Sequence, residues 1–569
     1  MLQFYNQQGF MKKFLTCIAL IFSGFVCVFF IIPFVCALSP LWTPDKLGFI
    51  VQSTLSFKLI LRATVFTIEV AVGSTLIAII IGVPTAFFVA KRRFFCKKLL
   101  KVMSAVPLCI PSLLIALGFV IVFGINGSLN RFVKYIFGLD SAPITFLYSF
   151  WGIIIAQGFY NFPLIMRTVS EAWGQLPEEE ANAARLLGAS EERVFRTVTI
   201  YQLFPSIASS SVLVFLFCFF SFIIVLLFGS VGGTTLEVAI YQSARTSLDF
   251  RTAAVLALIE TTVAMFIIIL YGKLEIKSAR NTGIRCSANK YEFPSIGHSS
   301  TIRWGGKKKI QYGEIIGFVV LAILIVFCFF LPLFSILINA FFIKTGNHVS
   351  SIISFKNFVT LFGRHSFWLS LGHTFETALC TGSLSVLTGL VFALFSRRMD
   401  PYNSKRILKI VPLLPMAVSS VIMGFGITMF VPQGKPFMLI FAQTALYWPF
   451  AFKQISAALN RIPEITLEAA RLLSKNTPDV FFKIEIPLVR RSILSAFGFC
   501  FAISCGDATL PLVLAIPRYE TLALLTYRLA GSYRFSEACA CGCILGLLTA
   551  GVFAFSDFIE KRGQNARLS

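Results

Sequence analysis

The sequence predicts an all-α integral membrane fold of twelve transmembrane helices, arranged as two parallel six-span repeats. Three observations predict it. The 569 residues are 57% hydrophobic and only 13% charged, with a mean hydropathy of +0.82, against about 45–50% and about 25% in soluble domains. Twelve apolar runs approach the roughly 20 residues that cross a hydrocarbon core. And one segment of the first half recurs, ungapped, in the second.

The runs fall near 14–38, 63–90, 102–124, 145–166, 207–228 and 252–271, then 315–342, 370–396, 407–430, 437–456, 489–513 and 538–558. Lys12 and Lys13 before the first run suggest a signal peptide. At 25 uncharged residues, however, that run exceeds the roughly 7–15-residue apolar region of such peptides, and it reads as a retained span.

Lys and Arg collect in the loops that face the cytosol. Span two is followed by Lys91, Arg92, Arg93, Lys97, Lys98 and Lys101, and span eight by Arg397, Arg398, Lys405, Arg406 and Lys409. Residues 272–314 hold nine Lys or Arg against three acidic residues, and Lys561 and Arg562 lie near the end. Both termini are therefore expected in the cytosol. The net charge of +24 comes from these loops, so it does not point to nucleic acid.

The domains expected are a first six-span repeat (1–271), a basic cytosolic linker (272–314) and a second repeat (315–569). The linker carries Ser, Gly, Asn and Pro with no apolar period, as flexible spacers do. Six spans is an even number, so both halves enter and leave on one side. They are then related by an axis along the membrane normal.

Shifted by 286, Asn161–Gly188 lies on Tyr447–Ser474 with ten identities in 28 positions, among them Pro163/Pro449, Pro177/Pro463 and Ala183–Leu187 on Ala469–Leu473. This stretch is mostly a loop between spans four and five (167–206 and 457–488), where shared hydropathy cannot explain the match. Each loop reads as two short helices separated by a break. Gly188 suits that break, because a helix often closes on a residue with positive φ. Paired alanines permit close approach, and Leu186-Leu187 or Leu472-Leu473 offer an apolar contact to a partner.

The loops resemble the signature of the membrane subunits of binding-protein-dependent ABC importers: E-A-A, three residues, Gly, nine residues, I-x-L-P. The second copy reads Glu468, Ala469, Ala470, then Ser474 in place of Gly, Ile484, Ile486 and Pro487. The first reads Asn182, Ala183, Ala184, Gly188, Val198 and Ile200, with Tyr201 where Pro is expected. The resemblance implies a type I ABC importer permease fold in a bacterial inner membrane. It implies that these loops dock on a separate ATPase, expected as a homodimer, and that an extracytoplasmic binding protein delivers substrate. Asn182 opposite Glu468 implies two chemically unequal docking sites.

The chain has no G-x-x-x-x-G-K-[ST] phosphate loop. ATP and Mg are expected on the partner, with no cofactor, metal or catalytic residue here. The fused twelve-span members of the family import thiamine or ferric iron. Thr234–Gln242, Asp249–Ala254, Ser504–Asp507 and Gly531–Arg534 look more like the thiamine group.

Thiamine is an aromatic cation, which acidic groups and aromatic faces attract. Ionisable residues within spans are costly and tend to be functional, so Glu69, Glu260, Glu376 and Asp507 are the candidates for the substrate pathway. The plainer reading is that each faces a neighbouring helix or an interface. A proton-coupled secondary carrier would also have two parallel six-span halves, but has no use for paired coupling loops. The four histidines, His298, His348, His365 and His373, form no close ligand set, and Cys539, Cys541 and Cys543 belong to an apolar segment with no His or acidic ligand beside them.

Overall fold

The computed structural model describes residues 27–42, 53–92, 110–177, 179–229, 233–288, 312–345, 348–399, 411–431, 433–462, 464–474 and 477–565, together with residues 24, 94, 97 and 100. Lys12, Lys13, Arg93, Lys98, Lys101, His298, Lys307–Lys309, Lys405, Arg406, Lys409 and Pro463 lie outside the described residues.

The first half contains α1 (Ile32–Leu38), α2 (Ser53–Lys91), α3 (Ser112–Phe123), α4 (Ser128–Phe137), α5 (Phe150–Gly174), α6 (Glu179–Leu186), α7 (Glu191–Val194), α8 (Ile200–Phe219), α9 (Ile223–Phe228), α10 (Leu236–Arg245) and α11 (Phe250–Ala288). The second contains α12 (Tyr312–Ile325), α13 (Leu331–Phe341), a hairpin of β1 (Phe342–Thr345) and β2 (His348–Ile353), α14 (Lys356–Phe362) and α15 (His365–Met399). It continues with α16 (Ser420–Phe430), α17 (Pro436–Leu459), α18 (Glu464–Leu473), α19 (Thr477–Val480), α20 (Ile486–Gly506), α21 (Thr509–Leu514), α22 (Leu522–Gly531) and α23 (Phe535–Asn565).

Among the described residues, eight helices are long and apolar enough to cross a membrane, and the segments Val28–Leu41 and Ser420–Phe430 are shorter apolar helices. The expected spans four and ten are α5 and α17, of 25 and 24 residues. At about 1.5 Å per residue each covers the roughly 30 Å core. Both carry buried polar side chains, Gln157 and Asn161 in α5 and Gln443 and Thr444 in α17, which dilute their hydropathy.

Among the described residues the regular elements are helical apart from one antiparallel hairpin, which pairs Lys344 with Val349 and Thr345 with His348. The expected linker begins as helix, because α11 runs on to Ala288; residues 289–311 lie outside the described set. Two short helices had also not been foreseen between spans five and six and their counterparts, α10 and α22. Both begin on Thr N-caps, Thr235 and Thr521, after loops without apolar period.

The repeat holds to the residue. Adding 286 carries the start of α5 to that of α17 (150→436) and of α8 to that of α20 (200→486). It also carries α9 onto α21 (223–228→509–514) and α10 onto α22 (236–245→522–531). Ahead of α5 the offset is larger: α3 maps on α16 by 308 (112→420). The difference is an insertion in the first half that contains α4, an amphipathic helix with Phe132, Tyr135, Ile136 and Phe137 exposed.

The hydrogen bonds repeat too. Thr67 Oγ1 accepts from the Leu236 backbone N–H at 2.8 Å, and Thr374 Oγ1 from that of Leu522 at 2.7 Å. Ser74 Oγ donates to Gln157 Oε1 at 3.1 Å, and Thr381 Oγ1 to Gln443 Oε1 at 3.3 Å. Each pair pins the second helix of its half to a buried partner. Such bonds matter in lipid because water is not there to replace them.

The halves exchange their first helices. α1 packs against α16 of the second half, while α13 packs against α3 of the first. Glycines make both approaches possible: a Cβ on Gly118 would stand 2.5 Å from the Pro332 carbonyl oxygen, and one on Gly426 would strike that of Pro33. Small residues at such crossings let backbones come together.

Candidate functional site

Two regions gather the polar and exposed residues that packing alone does not explain: the paired loops, and a buried polar zone between the halves.

In the first loop, α6 ends on a left-handed Gly188, with φ of +84°. Ala189 N–H reaches back to Ala184 O at 3.0 Å and Gly188 N–H to Arg185 O at 2.9 Å, closing the helix with its last carbonyls satisfied. Ser190 then caps α7 by accepting from Arg193 N–H at 3.4 Å. Arg185 braces the turn, donating to Asn182 Oδ1 at 2.7 Å and to both Glu191 carboxylate oxygens at 3.0 Å.

The second loop has the same helices, α18 and α19, and both loops enter the next span through one π-turn, Phe195–Thr199 and Phe481–Glu485. The four left-handed non-glycine residues among the described ones, Leu248, Ala515, Arg518 and Tyr533, all lie elsewhere. The second loop thus closes α18 at Ser474 by other geometry.

What the loops share is their tip. Leu186, Leu187, Leu472 and Leu473 are 89%, 90%, 88% and 90% exposed. Apolar side chains bared in equivalent pairs are the mark of a surface that another protein covers. Asn182, Ala183, Glu468 and Ala469 are exposed beside them, Ala184 and Ser474 are half-buried, and Ala470 is buried.

The buried zone lies where α10 and α11 of the first half meet α16 and the turn Val411–Ala417 of the second. Asp507, just past the end of α20, accepts from Thr509 and Leu510 N–H on Oδ1 (2.9 and 3.2 Å) and from Gln443 Nε2 and Tyr447 Oη on Oδ2 (3.0 and 2.9 Å). Gln443 Oε1 in turn accepts from Ser504 Oγ at 2.6 Å. A carboxylate offers about four acceptor sites, so Asp507 is fully engaged by the protein.

Glu260, in α11, is the reverse case. It is 0% exposed, and neither carboxyl oxygen has a hydrogen-bond partner. Glu237, in α10, is 1% exposed with Oε2 unpartnered. The Ser419 side chain stands beside both glutamates, and Glu237 lies within electrostatic range of Glu260 and Asp507. Screening spans for carboxylates passed Glu237 over, because α10 is too short and too polar to read as a span.

Glu69 and Glu376 occupy equivalent places in the two halves (69 + 307 = 376) and both are exposed, on helix faces that also bare Val65, Val72 and Phe375. Glu376 lies near Tyr519. Tyr519 stacks on His373 (centroids 4.1 Å apart) and bonds Thr377 Oγ1 at 2.8 Å. The His373 Nδ1 faces the Glu520 carbonyl oxygen at 3.2 Å; that oxygen only accepts, so the proton sits on Nδ1. Arg528 pairs with Glu520 at 2.7 Å. Here the first half diverges, with Phe66 packed on Gly233 at the matching positions.

Cys539, Cys541 and Cys543 are buried in α23, and no three His, Cys, Asp or Glu residues converge as metal ligands would among the described residues.

The family described as "Binding-protein-dependent transport system inner membrane component" matches residues 74–275 and 385–563. The "Thiamine transport system permease protein ThiP" of Haemophilus influenzae is 24% identical over 505 residues, covering 86% of this chain and 87% of that protein. The protein of the same name from Escherichia coli K12 is 24% identical over 510 residues, covering 87% and 88%. Among solved structures, a bacterial ABC transporter involved in the import of the acidic polysaccharide alginate has 19% identity and a TM-score of 0.33, covering 44% of this chain and 95% of that one.

Proposed function

The chain belongs to the family of inner membrane components of binding-protein-dependent transport systems, and from that premise we propose that it is the two-repeat permease subunit of an ATP-driven thiamine importer. The observation that carries this reading is the pair of loops with equivalent, bared leucines. A permease worked by two ATPase subunits needs two docking points on one side of the membrane, and two loops with bared leucines at matched positions support that reading. Thiamine is the substrate in the name of the relatives that span most of the chain.

The loop carrying Asn182, Ala183, Ala184 and Gly188 receives one ATPase subunit, and that carrying Glu468, Ala469, Ala470 and Ser474 the other. ATP and Mg bind on those subunits. An extracytoplasmic binding protein delivers thiamine at the opposite face. The excess of Lys and Arg puts the coupling loops and both termini in the cytosol. ATP binding drives alternation only so far as the ATPase contacts the two permease states differently.

The test is reconstitution in proteoliposomes with the ATPase and the binding protein. Thiamine-loaded binding protein should stimulate ATP hydrolysis and uptake, and ferric iron should not. Uptake that survives without the ATPase but collapses with an uncoupler would instead mark a secondary carrier.

A further inference from the structure

The repeat separates what the fold requires from what it does not. The bonds that hold each half together occur twice: Thr67 to Leu236 as Thr374 to Leu522, and Ser74 to Gln157 as Thr381 to Gln443. The three carboxylates of the buried zone occur once each. By the offset of 286, Glu237 corresponds to Ala523 (237 + 286) and Asp507 to Ser221 (507 − 286); α11 and α23 are offset by 285 (250→535), so Glu260 corresponds to Leu545 (260 + 285). A six-span half is thus built without them.

Their burial has to be relieved, either by a proton on the carboxyl or by a cation beside it. An ionised carboxylate with no partner costs several kcal/mol to bury. Glu260 has both oxygens bare and Glu237 one, while Asp507 keeps its charge among four donors. The buried hydroxyls of Thr235 and Thr261 are also unpartnered. Glu237 and Glu260 stand on the first half, facing Ser419 and Asp507 on the second, so motion of the halves would assemble and dismantle the group. The carboxyls do not converge as ligands of one metal ion. Acids spread around a boundary suit a larger cation with diffuse charge.

We propose that Glu237 and Glu260, with Asp507 as a fixed charge behind them, form a binding station between the halves for an organic cation in transit. The station rests on the reading of the chain as an importer permease and adds where the substrate's charge is held. Glu260 and Glu237 supply the free acceptors. Asp507 supplies field without a free lone pair.

The experiment uses the full complex of permease, ATPase and binding protein in proteoliposomes, with radiolabelled thiamine as the probe, and reads thiamine imported per ATP hydrolysed. Glu260→Gln and Glu237→Gln should each lower that ratio about tenfold, the effect of losing one modest charge interaction, while loaded binding protein still stimulates hydrolysis. Glu260→Asp, which keeps the charge, should recover most of it. A ratio equal to wild type in either Gln variant overturns the station. So does Glu260→Asp behaving no better than Glu260→Gln, which would make the site one of packing. Wild-type uptake that tracks a sodium or proton gradient would assign the carboxylates to an inorganic cation and overturn it too. If Glu260→Gln does not assemble with the ATPase, Glu237→Gln carries the comparison. Were the wild-type complex to import no thiamine at all, the functional reading itself would fall, and the station with it.

Discussion

Gly426 of α16 lies directly against the carbonyl of Pro33 in α1, so close that no side chain fits between them. Its counterpart Gly118 (118 + 308 = 426) meets Pro332 in the same way. Each half is therefore clamped by the first helix of the other. The clamp explains how two repeats joined by a long polar segment pack as one bundle.

Gly426→Ala and Gly118→Ala should each destabilise the protein by about 3 kcal/mol or more, because a backbone carbonyl cannot move aside as a flexible side chain would. Gly551→Ala, with nothing within 4 Å of the added carbon, is the control and should be neutral. Thermal melting of the detergent-solubilised protein reads the difference. Equal melting points for all three would dissolve the clamp.

The leucine pairs should matter to the partner and not to the permease. Leu186→Ala with Leu187→Ala removes side chains that are nearly fully exposed, so the melting point of the isolated permease should hold. Retention of the ATPase on co-purification should fall, since burying one leucine is worth about 1.5–3 kcal/mol. Leu472→Ala with Leu473→Ala should do likewise. Undiminished retention in both variants would place the ATPase contact elsewhere.

The two proposed docking points should respond differently to salt. Glu468 brings a charge to one of them and Asn182 none to the other, and exposed charge interactions weaken within a Debye length of about 8 Å at physiological ionic strength. ATPase association is expected to weaken from low to moderate salt in the wild type. Glu468→Gln should flatten that dependence, whereas Asn182→Ala should leave its slope alone. A slope indifferent to Glu468→Gln would mean that the acid faces solvent in the complex.

Gly188→Ala tests the closure of α6. The added carbon meets nothing within 4 Å, so its only cost is the left-handed backbone, about 1–2 kcal/mol. The expected result is a looser coupling helix with an intact membrane bundle: fewer substrate molecules imported per ATP, and little change in melting temperature. If coupling is undisturbed, the second loop, which closes at Ser474 without that geometry, is sufficient for both.

Two cross-half contacts should report on the switch. Arg245 donates from Nε to the Val513 carbonyl at 3.0 Å, and Lys453 meets the Tyr271 hydroxyl and ring. A hydrogen bond from a charged group is worth about 1.5–3 kcal/mol, so Arg245→Met should shift the balance between conformations and change the basal ATPase rate several-fold. Cysteine crosslinking between positions 244 and 513, on an Ala244→Cys, Val513→Cys background, should drop in parallel. Unchanged crosslinking would show that the contact does not govern how those elements meet.

Much of this was legible in the residues. The apolar runs, the 286 offset and the paired loops are local or nearly local patterns, because the bilayer imposes its demand on each stretch of 20 residues separately. The same locality explains what was missed. α10 carries Glu237 in a segment with no span-length hydropathy, and spans four and ten hide polar side chains that only neighbouring helices satisfy.

By itself, then, the sequence determined the helical membrane class, the repeat and the paired loops, since each is written in the order of side chains along a few turns. The tertiary structure alone decided that the first helices change halves, because that depends on Gly118 and Gly426 meeting carbonyls from distant segments. It also decided which acids are free. Asp507 and Glu260 look equivalent as carboxylates in apolar runs, yet one accepts four hydrogen bonds and the other makes none. Hydrogen-bond satisfaction is a property of the neighbours that packing brings, and no single segment encodes its neighbours.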